Sequence, residues 1–97
     1  MPSFIMLASF TDQGVRTAKD TAKRYDAFKE TAGRSGITIK DVYWTLGHYD
    51  IVLICEAPDD ETATAAFLSL AAAGNIRTQT LRAFSRDEMN KIVGKMM

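Results

Sequence analysis

The groups in this 97-residue chain best placed to do chemistry cluster in the stretch Gly47-His48-Tyr49-Asp50 and, further along, at Arg77-Thr78. A phenol, a carboxylate and a guanidinium near the middle of a sheet can orient a small polar ligand, with the planar fork of Arg77 gripping an anionic group. Each residue also has a structural reading. Gly47 serves turn geometry, Tyr49 packs, and Asp50 makes a hydrogen bond or ion pair that pins a hairpin. The other reactive types narrow the field. His48 is the only histidine and Cys55 the only cysteine, so there is no zinc or iron ligand set, no CxxC and no histidine pair at helical spacing. Cys55 lies in the most apolar stretch, where burial raises a thiol's pKa and core packing is expected instead of nucleophilic attack. The glycines match neither a phosphate loop nor GxGxxG. No metal and no cofactor are therefore expected.

Elements must hold these groups in place, and the composition allows one domain to supply them. Apolar residues are 46% and charged residues 25%, as in folded globular chains, and twelve acids balance twelve bases. That balance gives no long-range pull toward nucleic acid or anionic lipid. Residues 3–10 alternate Phe4, Met6, Ala8, Phe10 with Ile5, Leu7, Ser9, the period of a strand that is apolar on both faces. The opening MPSFIMLASF lacks the cationic start and cleavage pattern of a signal peptide and runs directly into TDQG. Thr11 or Asp12 caps a helix whose stripe is Ala18, Ala22, Tyr25, Phe28 and Ala32, ended by Gly33 or Gly36.

Residues 37–46 are β-branched and aromatic but carry Lys40 and Asp41, the mark of an edge strand. Gly47-His48 reads as a hairpin turn into GHYDIVLICE, a strand with two apolar faces. Asp59 or Asp60 caps a second helix with the stripe Ala63, Ala66, Phe67, Leu70, Ala71, stopped at Gly74-Asn75. Residues 76–84 form a fourth strand, and Ser85 with Glu88 matches a capping box opening a terminal helix over 85–96 with Met89, Ile92, Val93 and Met96 on one side. The order βαββαβ plus a terminal helix is α+β and ferredoxin-like, a single domain over 1–97 with its core in 3–84 and a four-stranded antiparallel sheet. In that arrangement the first and third strands are central, which suits the two stretches that are apolar on both sides. Two helices cover one face only. The other, rich in Ile, Leu and Val, calls for a cover, and a second copy packed sheet to sheet gives a homodimer; the rival cover is the terminal helix folding back.

GHYD before a strand, EAPDDE after it, and GNIRTQTLRAF after the second helix resemble the GYD domain family, whose signature is GxYD; the likeness runs from the first strand to Phe84. The resemblance implies a ferredoxin-like fold of the dimeric α+β barrel kind and no assigned activity, and it matches Gly47, Tyr49, Asp50, Arg77 and Thr78 to the family's motifs. Where family members often carry a proline ahead of the arginine in the first helix, this chain has DTAKR.

Three functional readings follow. The first is a cytoplasmic homo-oligomeric domain that serves an accessory role or binds a small anionic or aromatic ligand, held between the sheet and the helices near Tyr49, Asp50 and Arg77. The second is a cofactor-free enzyme, monooxygenase- or isomerase-like, with Tyr49 or Asp50 as general acid or base and Arg77 as anion anchor. The third is a purely structural assembly module. An enzyme requires a cavity of several hundred Å3 with those groups converging in it. A nucleic-acid role is not expected, because YDIVLIC lacks the rings and bases of RNA-binding sheets. A membrane role is not expected either, since no apolar run approaches roughly 20 residues.

Overall fold

The computed structural model describes residues 1–97. Its elements are β1 (Ser3–Phe10), α1 (Asp12–Arg16), α2 (Thr21–Arg34), β2 (Thr38–Trp44), β3 (Ile51–Glu56), α3 (Asp60–Ala72), β4 (Ile76–Ala83) and α4 (Arg86–Val93). The strands form one antiparallel sheet in the order β2-β3-β1-β4. The strands with two apolar faces are therefore the central pair, and those carrying Lys40, Asp41, Arg77 and Arg82 are the edges. This is the ferredoxin-like α+β arrangement with one added helix.

Period-two alternation sorts the side chains. Phe4, Met6 and Ala8 of β1 and Ile51, Leu53 and Cys55 of β3 are buried on the side that Ala32 of α2 and Ala63 and Phe67 of α3 cover. Full burial of a side chain such as Leu53 is worth about 2 kcal/mol. Their neighbours in sequence point to the opposite face, where Ile5 pairs with Ile54 and Leu81, and Leu7 pairs with Val52 and Gln79.

Caps fix the helix ends. The Asp59 carboxylate accepts from Thr62 N–H at 2.7 Å, and Ser85 and Glu88 exchange both bonds of a capping box. Those bonds hold the carboxyls of Asp59 and Glu88 below their ordinary range, because each accepts a hydrogen bond in its charged form.

Three elements depart from the sequence pattern. The first helix is broken: α1 ends at Arg16, a 3-10 turn fills Ala18–Asp20, and α2 starts at Thr21. Ala18 thus leaves the helical stripe, which narrows to Tyr25, Phe28 and Ala32 while Ala22 is exposed. The β2–β3 connection is a loop over 45–50 instead of a two-residue hairpin, so Tyr49 and Asp50 lie outside β3. Lastly, α4 is shorter than 85–96 and stands away from the body, with Met89, Val93 and Met96 exposed at 48%, 50% and 75%. It does not cover the open face of the sheet.

Candidate functional site

The loop between β2 and β3 is held by backbone bonds. Gly47 has φ +103°, a conformation side chains rarely adopt, which lets the chain reverse there. Thr45 N–H donates to Asp50 O at 2.8 Å and Thr45 Oγ1 to Tyr49 O at 2.7 Å. Asp50 N–H then donates to Ala8 O at 2.8 Å, while its carboxylate accepts from Phe10 N–H at 2.8 Å. The β1–β3 register ends at Ala8 opposite Ile51, so the Asp50 side chain takes the N–H that a longer β3 would otherwise have paired.

Tyr49 leans the other way. Its hydroxyl donates to Gln79 Oε1 at 2.8 Å, which carries it from the β3 end of the loop across β1 to β4. Gln79 pairs with Leu7, so the contact lies on the open face. His48 packs edge-on against Tyr49 with ring centroids 4.8 Å apart, and its carbonyl accepts from Ser9 Oγ at 3.3 Å. Arg77 is exposed and pairs with Ser9, placing it at the same end of that face. Thr78, one residue on, pairs with Ala8 and alternates to the helix side. Tyr49 and Arg77 thus share one end of the open face, whereas Asp50 is turned into the backbone and Thr78 into the covered side.

A cavity of about 460 Å3 lies elsewhere, between α2, α3 and the covered side of the sheet. Its walls include Tyr25, Phe28, Trp44, Ile51, Leu53 and Leu70, with Thr21, Arg24, Thr31, Ser69 and Asn75 as polar groups. Gly47, Tyr49, Asp50, Arg77 and Thr78 do not line it. Trp44 Nε1 donates to Thr21 Oγ1 at 3.0 Å, and its ring meets Tyr25 in a T-shaped contact at 5.8 Å. Arg24 caps the break in the first helix: Nη1 donates to Thr17 O and Thr17 Oγ1 at 3.0 Å each, and Nη2 to Gly14 O at 3.5 Å. Burial is the main cause that raises the Tyr25 pKa, with Asp26 and Asp41 adding to it, so the phenol stays neutral. Burial, helped by Glu56, likewise pushes the Cys55 thiol up to about 11. Among the side chains no group of three or more His, Cys, Asp and Glu is arranged to hold a metal ion.

Compared with protein families, residues 4–93 match the model of the GYD domain. The chain belongs to the GYD domain family. A curated relative, the "Glutamine synthetase and cystathionine beta-lyase binding protein" of Thermus thermophilus, is 37% identical over 84 residues, 86% of this chain and 88% of that protein. Among solved structures, the crystal structure of TTHA0845, also from Thermus thermophilus, has a TM-score of 0.56 at 22% identity, covering 88% of this GYD chain and 95% of the other. That likeness concerns the fold.

The GYD signature residues Gly47, Tyr49 and Asp50 therefore build a loop that closes the end of the central strand pair, with only Tyr49 presented on a face. Sequence reasoning did not single out the cavity residues Arg24, Tyr25 and Trp44 as a group. A partial signal was present in the helical stripes, of which Tyr25, Phe28 and Leu70 line the cavity; Arg24 and Trp44, from α2 and β2, follow no pattern that groups them.

Proposed function

We propose that this GYD protein is a homo-oligomeric accessory domain of the cytoplasm that pairs through the open face of its sheet and, so assembled, binds other molecules. One observation carries the reading. Ile5, Leu7, Val52 and Ile54 make a continuous apolar strip over the two central strands, flanked by Tyr43 and Leu81 at 55% and 40% exposure, and α4 leaves it uncovered. A second copy of the same sheet is the cover of matching shape and period. The name of the Thermus relative supports an accessory, protein-binding role.

In this reading Tyr49, with Gln79 and Arg77, forms the polar end of the pairing face and offers a place for a small anion, while Gly47 and Asp50 fix the loop and Thr78 supports β4 from the covered side. The enzyme reading is less well supported, because the groups assigned to acid–base work lie outside the cavity.

Substituting Tyr43→Lys and Leu81→Lys tests the proposal without disturbing the core, since both side chains are already exposed. Size-exclusion chromatography with light scattering is expected to show the oligomer of the unaltered chain shifting at least tenfold toward monomer, with unchanged circular dichroism. An oligomer indifferent to both charges would place the interface elsewhere and overturn the reading.

A further inference from the structure

We propose that the cavity between α2, α3 and the covered side of the sheet binds a small aromatic carboxylate, its ring against Tyr25, Phe28 and Trp44 and its carboxylate on Arg24. The inference goes beyond the self-association reading and uses none of the residues on the open face.

Size and lining argue for a ring. A volume of about 460 Å3 falls within the range of small-molecule sites, and ten of the fifteen lining residues are hydrophobic. Three aromatic side chains among them offer the edge and face contacts that aromatic pairs favour.

Charge argues for an acid. Arg24 forms none of the ion pairs in the molecule, which join Arg34 to Glu30, Lys40 to Glu56 and Arg82 to Glu88. Its guanidinium donates three hydrogen bonds, all to neutral oxygens of Thr17 and Gly14, out of five N–H groups available. The N–H on Nε and the second on Nη2 are left over, and the charge, half-buried at an apolar wall, lacks a counter-ion. A carboxylate accepts both in one planar arrangement. The Tyr25 hydroxyl, protonated at neutral pH like any tyrosine, adds a neutral donor on the same wall.

Trp44 is the only tryptophan in the chain and lines the cavity, so its emission reports occupancy directly. Phenylacetate and benzoate, titrated against the full-length protein, are expected to change Trp44 fluorescence saturably and to raise the melting temperature. Each should bind at least tenfold more tightly than its neutral counterpart, 2-phenylethanol or benzyl alcohol. Arg24→Gln should abolish that preference while Arg24→Lys retains part of it. Because Arg24 also holds the helix break, Ser69→Phe is a second variant that narrows the cavity from its exposed rim, and it should weaken the acids tenfold with Arg24 intact. Equal binding of acid and alcohol, a preference that survives Arg24→Gln, or no response to any of the four compounds at millimolar concentration overturns the proposal. Oligomeric state is measured separately on the same samples, so failure here leaves the self-association reading standing.

Discussion

At the scale of single residues, Asp50 has the clearest role. Its carboxylate takes the Phe10 N–H that the β1–β3 ladder leaves unpaired, and its own N–H and carbonyl are engaged with Ala8 and Thr45. Asp50→Ala strands that partly buried donor and is expected to cost about 1–2 kcal/mol in urea denaturation, whereas Asp50→Asn, which still offers an oxygen, should cost less. Cys55 makes a prediction about pH. Its thiol is raised from 9.0 to about 11 by burial, so the folded state favours the protonated form. The stability this contributes, about 3 kcal/mol, is fully present below pH 9 and is lost as pH rises through 11. Denaturation midpoints across that window should fall, and a thiol reagent at pH 8 should label Cys55 only as fast as the protein unfolds. That Asp50 makes a hydrogen bond at this turn was legible in the sequence, but the directions of Tyr49 and Asp50 were not. Strand alternation would send them to opposite faces; in the loop, backbone bonds decide instead.

At the scale of elements, α1 is tied to the turn between α3 and β4. Thr11 N–H donates to Asn75 O at 3.1 Å, Thr11 Oγ1 to Gly74 O at 2.6 Å, and Gln13 Nε2 reaches Ala73 O and Asn75 Oδ1 at 3.1 Å each. Gly14 permits the approach, for a Cβ there would overlap the Asn75 carbonyl. Gly14→Ala should therefore destabilise by about 2 kcal/mol or more, read as a lowered urea midpoint, despite the better helix propensity of alanine. The same docking explains the helix break. A helix tied to that turn stops at Arg16, a 3-10 turn leads into α2, and Arg24 adds donors to the Thr17 and Gly14 carbonyls, which also accept Asp20 N–H and Thr17 N–H. No residue in TDQGVRTAKDT announces this, since it depends on a turn some 60 residues away. The caps at Asp59 and Ser85, by contrast, are local and were readable from the residues that make them.

At the scale of the whole molecule, the fold was legible because two-faced strands belong in the centre of a sheet and charged ones at its edges. The cavity was not, because a pattern of apolar positions says which side of a helix faces inward and nothing of how completely it fills the space. The open face raises a question of size. Four strands about 4.8 Å apart and about 25 Å long present about 500 Å2, short of the about 800 Å2 per partner usual in stable complexes. The exposed stripe of α4, Met89, Val93 and Met96, is the natural supplement, with its apolar side unused in one copy. Removing residues 85–97 should then weaken self-association while leaving the sheet folded, as seen by light scattering and circular dichroism. Sedimentation equilibrium of the unaltered protein at micromolar concentration tests the central claim most directly. The account predicts a mass of at least twice the 10.7 kDa of one chain. A folded species of 10.7 kDa that persists as concentration rises would contradict it.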